Sequence, residues 1–414
     1  MTLTPNPWIT LAIVAFTFIG IAIGRYPFIK SNRTTIALLG VALLMATSQV
    51  KFKELPSYID FDTLILLFSM MIINANLKLS GFFTLAGRLM VRLARSPRVL
   101  LALEILFMGI LSALFLNDTI CLMFAPFIIT LVNQLKRNPM PYLIGLATAA
   151  NIGSTATLTG NPQNMIVGIA SGIPYLHFTL ALAPIALLSM GGIWLVLVKM
   201  YPYELPPHES FSFAEEDQQA ISRPLMVKTL VVVAGLLVAF LSGAPIAMAA
   251  FIAANILLIT RQHQPFHVFA EFDWTLLVFF AAMFVVSGSL ETSGVTSTLI
   301  HLNNLAQQAN IWNLTVVTSL LSNLISNVPA VLLLKSVAAN MPNPRLGWLT
   351  IAAASTLAGN LTLLGSVANL IVAETASRWR IDLSFWEYTK SGVIITLISL
   401  LIGVAWLYVY FTWL

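Results

Sequence analysis

Two stretches of this chain gather small, hydroxylated and amide residues inside otherwise apolar sequence. The first, Leu146 to Val167, reads LATAANIGSTATLTGNPQNMIV and concentrates Gly153, Ser154, Thr155, Thr157, Thr159, Gly160, Asn161, Pro162, Gln163 and Asn164. The second, Thr356 to Val372, reads TLAGNLTLLGSVANLIV and contributes Gly359, Asn360, Thr362, Gly365, Ser366 and Asn369. Two shorter clusters, Asn117-Asp118-Thr119 and Ser326-Asn327, interrupt apolar runs of their own. Neutral hydroxyls and amides of this kind bind a solute through hydrogen bonds rather than transform it. Glycine and proline weaken a helix, and backbone groups freed in hydrocarbon must be satisfied by protein, water or an ion. Helix N-termini at such breaks carry partial positive charge suited to an anion, while free carbonyls suit a cation. The implied chemistry is reversible binding of a small polar solute at membrane depth.

Two ionisable residues sharpen this. Asp118 is an acid inside an apolar run, which marks a functional position by default; it can exchange a proton or help bind sodium near Asn117, Asp118 and Asn327. Lys335, eight residues past Asn327, can hold a fixed positive charge for an anion or stand where a coupling cation would bind. Plainer roles compete with these. A hydroxyl in a membrane helix often bonds only the backbone, and Lys335 can pair with Asp118 or snorkel to the outer interface. Glu104 is expected near the interface, Glu291 and Glu374 at solvated span ends, and His177 and His301 near the outer surface.

The elements that position these residues are membrane helices. The chain is 58% hydrophobic and 9% charged, with a mean hydropathy of +0.89, far from the quarter or so of charged residues in a soluble domain. A lone Cys121 excludes an intrachain disulfide or cysteine metal cluster. The net charge of +5 comes without a basic, aromatic-interleaved patch, so nucleic acid is not an expected partner; the lipid bilayer is. No Walker loop and no HExxH motif occurs, and no enzyme is expected. Gly81 to Arg98, with Arg88, Arg92 and Arg95 at helical spacing, reads as an amphipathic interfacial helix.

Residues 99–135 and 311–340 read as re-entrant hairpins, and residues 141–172 and 346–373 as broken helices. The same order recurs in both halves, so 1–200 and 225–414 are expected to be two repeats joined by a polar linker, 201–224. Placing the loop after the first helix inside puts sixteen lysines and arginines, Arg25, Lys30 and Arg261 among them, on the cytoplasmic side against three outside. That threading gives ten transmembrane helices with both termini on the outer face, and it inverts one repeat relative to the other. The expected fold class is therefore an all-α polytopic membrane protein with ten transmembrane helices, two re-entrant hairpins and two inverted repeats.

The Asn117-Asp118-Thr119 and Ser326-Asn327 tips, with the N-I-G-S-T-A-T-L-T-G-N-P-Q-N and G-N-L-T-L-L-G-S-V-A-N segments, resemble the ion transporter superfamily. That group holds the arsenite pump membrane subunit, a set of sodium–proton antiporters, citrate-type carriers and divalent-anion:sodium symporters. The resemblance implies a plasma (inner) membrane transporter of a small inorganic or organic anion, such as arsenite, antimonite or a carboxylate. It implies coupling to protons or sodium, a homodimer, an elevator-like motion and, for the arsenite pump type, a soluble ATPase subunit. The symporters carry Ser-Asn-Thr at both tips; here the first tip gains an acid and the second reads Ser326-Asn327-Val328, closer to the arsenite and antiporter branch. A sodium–proton antiporter using Asp118 and a non-transporting membrane scaffold are the alternatives.

Overall fold

The computed structural model describes residues 6–23, 32–206, 221–259, 264–295 and 309–413. Arg25, Lys30, Arg261 and His301, and the linker acids Glu209, Glu215, Glu216 and Asp217, lie outside the described residues. Among the described residues every regular element is helical.

Helices α1 (Pro7–Ile23) and α2 (Arg33–Ala46) pack together, and Asn32 caps α2 through a box closed by Thr35. Helix α3 (Phe61–Ser80) starts at the Asp60 cap and ends at Gly81, whose φ of 80° favours glycine. The same residue precedes α4 (Phe82–Leu93), so one glycine turns the chain into the amphipathic helix. Its buried face is Phe83, Gly87 and Met90.

Ser96 caps α5 (Pro97–Leu114), which meets α6 (Asn117–Gln134) across Phe115 and Leu116. Their far ends reach one segment: Arg98 Nε donates to Leu205 O at 2.6 Å, and the Asn138 N–H donates to Glu204 Oε2 at 3.4 Å. The pair is thus a hairpin that turns at Phe115 and Leu116, with the polar triplet at the tip end directly after the turn. Asn117, Asp118 and Thr119 form the first turn of α6, because the Asn117 N–H finds Gly160 O at 3.1 Å and the helix can begin there.

The first broken helix is α7 (Met140–Ser154) and α8 (Pro162–Ser171), followed by α9 (Tyr175–Met200). Then come α10 (Arg223–Leu241), α11 (Ile246–Leu258), the short α12 (Pro265–Ala270) and α13 (Trp274–Thr292), capped by Asp273. The second pair, α14 (Ile311–Ile325) and α15 (Asn327–Ala339), is joined by Ser326 alone, at φ 81° and ψ 159°. That backbone region is nearly reserved for glycine and costs about 1–3 kcal/mol elsewhere. The second broken helix is α16 (Pro344–Ala358) and α17 (Val367–Arg378), and α18 (Phe385–Trp413) closes the chain.

Six described helices, α3, α5, α9, α10, α13 and α18, are long and apolar enough to cross a membrane unaided. The deepest core lies elsewhere. Every residue of α7 from Pro141 to Ser154 is buried, as is every residue of α16 from Gly347 to Ala358. The polar breaks therefore follow directly from the two most enclosed segments, while α10 turns Val231 and Val238 outward.

Two acids stand out. Glu104, early in its arm as expected, is fully buried among helices. Glu291 lies exposed at the end of α13 as expected, and also accepts from Ser336 Oγ at 3.0 Å and pairs with Lys335 at 3.2 Å.

Candidate functional site

Each break is built the same way. In the first, the Asn161 side chain accepts the Asn164 N–H at 2.9 Å and caps α8. Pro162 occupies the first helical position, where its missing donor costs nothing, so it starts α8 rather than breaking a helix. The Asn164 amide then donates back to Ser154 O at 3.1 Å and Thr157 O at 2.9 Å, with Thr155 O at 3.4 Å. In the second, Ser366 caps α17 at the Ala368 N–H, and the Asn369 amide donates to Gly359 O at 2.8 Å and Thr362 O at 3.1 Å. Asn164 stands to Ser154 and Thr157 as Asn369 stands to Gly359 and Thr362. The carbonyls that unwinding orphans, expected to be free for a cation, are held by an amide of their own broken helix; each keeps a second lone pair.

The breaks also hold each other. Asn151, in α7, donates to Asn360 Oδ1 at 2.8 Å and Asn369 Oδ1 at 3.0 Å, and accepts from Ser366 Oγ at 3.0 Å. In the opposite sense, Thr356 Oγ1 of α16 accepts from Asn161 Nδ2 at 3.2 Å and Gln163 Nε2 at 3.0 Å. Asn151, Thr356 and Gln163 are at most 3% exposed and were not among the expected site residues. Their signal was positional: Asn151 and Thr356 open their two motifs at the offset that pairs Asn164 with Asn369.

The hairpin tips close on this centre. Asn117 Nδ2 donates to Asn151 Oδ1 at 3.0 Å, and Thr119 Oγ1 accepts from Asn74 of α3 at 3.3 Å. Asn327 Oδ1 lies 2.5 Å from Ser322 Oγ, which is also 2.8 Å from Ser355 O. The Asn117 and Asn164 Oδ1 atoms are buried and unpartnered. Asp118 stands between Asn117 and Thr119 in the first turn of α6, half-buried. Ser326 supplies the strained turn rather than a contact.

Several expected hydroxyls spend their protons on protein. Ser154 and Thr155 donate to Asn151 O at 2.7 and 3.3 Å, Thr157 donates to Ala113 O, and Thr159 meets the Tyr175 hydroxyl at 3.4 Å. Thr362 reaches Asn323 Oδ1 at 3.5 Å. Gly153, Gly160 and Gly365 are demanded by proximity: a Cβ there would strike the backbone of Gly109, the Ser154 and Ser112 carbonyls, and Gly359 O, respectively. Lys335 sits two turns beyond Asn327 with 30% of its side chain exposed, and it pairs with Glu291 rather than with Asp118. Glu291, from the end of α13, supplies the nearer counter-charge.

Buried amides, matched breaks and apolar spans define a membrane transporter rather than an enzyme. The chain belongs to the citrate transporter family CitMHS, which it matches over residues 13–358, and so to the ion transporter superfamily. It is 30% identical to the silicon efflux transporter LSI3 of Oryza sativa subsp. japonica, over 98% of each chain. A Dictyostelium discoideum transporter named arsB is 24% identical, over 96% of this chain and 92% of that one. The Alcanivorax borkumensis YdaH transporter, whose crystal structure is described as having an unusual topology, shares the fold with a TM-score of 0.59 at 16% identity, over 99% of both chains.

Proposed function

We propose that the protein is a secondary active transporter that moves a small oxygen-rich solute by alternating access, coupled to the proton or sodium gradient. The observation that carries this is the interlocking of two like-built breaks through Asn151 and Thr356. Such a centre, enclosed by helices in matching halves, is what a transporter needs at the bilayer midplane.

The reading takes α1, α2, α3, α7 with α8, α9, α10, α11, α13, α16 with α17, and α18 as ten spans, with both hairpins re-entrant and 1–200 and 225–414 as inverted repeats. Polar contacts between elements sort into two layers, which supports it. Asn6 N–H to Gln49 Oε1 (2.6 Å), Tyr58 to Thr292 (3.1 Å) and Lys335 to Glu291 fall at the outer end. Thr34 Oγ1 to Thr275 O (3.1 Å) and Lys78 to Glu271 fall at the inner end.

The solute follows from the donors. The described centre offers amides, hydroxyls and helix N-termini, with Lys335 withdrawn from it. That set suits an uncharged oxyacid, or an oxyanion whose charge rests on helix ends. Relatives named for silicon efflux and arsB, in a family named for citrate, support arsenite, silicic acid or a carboxylate. Asp118, beside Asn117 in the first turn of α6, is the coupling group that binds the proton or sodium ion.

Flux of arsenite, silicic acid and citrate into proteoliposomes under imposed pH or sodium gradients tests this. One solute should move in wild type, and its gradient dependence should be altered in Asp118→Asn. No flux of any of the three, or an unaltered dependence in the variant, would refute it. Sodium–proton exchange without a solute is the second reading, favoured by the acid that Asp118 places in the first turn of α6; proton movement driven by sodium in solute-free vesicles identifies it.

A further inference from the structure

Glu104 is a carboxylate at 0% exposure whose two oxygens both lack a hydrogen-bond partner. It lies seven residues into α5, the first arm of the hairpin that ends at the amide centre. Helix α5 packs against α4, α6, α7 and α9. Their titratable groups are Arg88 and Arg92 on α4, Asp118 and Cys121 on α6, Tyr142 on α7, and Tyr175, His177 and Lys199 on α9. None gives Glu104 a hydrogen bond.

An ionised carboxylate in such a place has lost its water and gained nothing in return, a far greater cost than burying the neutral acid. The packing shown here offers nothing that would compensate a charge on Glu104. On the same buried face, one turn apart, follow Met108 and Ser112. Ser112 O abuts Gly160, and Ser112 Oγ is itself unpartnered. Glu104 thus sits about 12 Å along the arm from the solute centre. Met108 offers no donor or acceptor between them, so a proton leaves Glu104 only when the arm's surroundings open.

We propose that Glu104 is a proton-binding site of the transport cycle. It holds its proton while α5 is packed as here and releases it to water when the hairpin moves, the O–H bond breaking and the charge staying on the carboxylate. This rests on the proton-coupled reading above.

The test has two arms. Infrared spectroscopy of the protein in lipid, with no gradient, should show at neutral pH a protonated-carboxyl carbonyl band that Glu104→Gln removes. Proton and solute counting in vesicles should then show one proton fewer per solute in Glu104→Gln, a variant that mimics the neutral acid. A neutral-pH spectrum identical in wild type and Glu104→Gln would overturn the proposal, since the carboxyl would be ionised. So would loss of the band with an unchanged proton-to-solute ratio, because the proton would then be structural. If wild-type flux moves no protons at all, the coupling reading fails and this proposal with it, while the infrared arm still reports the protonation state. Should Glu104→Gln fail to fold, the response of the wild-type band to saturating solute decides: a change supports release, and none overturns it.

Discussion

The clamp that each asparagine places on its own broken helix can be removed while the branching of the side chain is kept. Asn164→Leu exchanges the amide for two methyl groups. Thr157 O then loses its donor at 2.9 Å, and Ser154 O keeps only the longer 3.4 Å contact from Asn161. A buried acceptor left without a donor costs about 1–3 kcal/mol, so the two together cost about 2–6 kcal/mol. An unfolding entropy of about 2.1 cal/mol/K per residue converts this, for a chain of 414 residues, to a fall in melting temperature of about 2–7 °C. Asn369→Leu strips Gly359 O and Thr362 O and also removes the acceptor that Asn151 uses, so its fall should be at least as large. Exposed Asn255, which bonds only Phe251 O of its own helix, is the control. Thermal unfolding of the detergent-solubilised variants, followed by solute flux, is the assay. A shift for Asn164→Leu no larger than that for Asn255→Leu would refute the claim that the amide holds the break.

Gly153→Ala should abolish flux and lower the yield of folded protein, since its Cβ meets Gly109 backbone that cannot swing aside; Gly191→Ala, with open space around it, should be silent in both. Lys335→Ala should leave solute affinity within about twofold, because a half-exposed ion pair is worth no more than about 1 kcal/mol; a tenfold loss in a binding titration would return Lys335 to the site. Tyr201 donates to Glu387 Oε1 at 2.6 Å, and burial together with that carboxylate pushes its phenol above the ordinary range. A raised phenol contributes stability below its ordinary titration range and loses it only as the pH climbs through the raised value. The melting advantage of wild type over Tyr201→Phe should therefore stay constant from neutral to about pH 9, worth about 1–3 kcal/mol, and a loss of it before then would contradict the assignment.

The breaks were legible because glycine, proline and asparagine crowd into sequence that is otherwise apolar, and because the crowding occurs twice. Asn151 and Thr356 were not. A single amide or hydroxyl eleven or twelve residues into an apolar helix looks like a lone interior polar group until the partner arriving from the other half is known. The partner of Lys335 was not legible, because counting along α15 from Asn327 does not show that the end of α13 brings Glu291 beside it. Glu104 was taken as interfacial because seven residues from a helix start is shallow; packing by α4, α7 and α9 buries it regardless. Pro162 was read as an interruption, whereas the capping bond of Asn161 makes it a beginning.

The exchange in which Ser366 completes Asn151 while Asn161 and Gln163 complete Thr356 bears on ancestry. Neither half can finish its own polar pocket. On the inverted-repeat reading proposed above, a gene encoding only one of them would have needed two copies of its product in the same bilayer, one inserted upside down relative to the other. A single reading frame carrying both would supply the two orientations in equal number, leaving each half free to differ, as Asp118 in the first half and Val328 at the matching place in the second do.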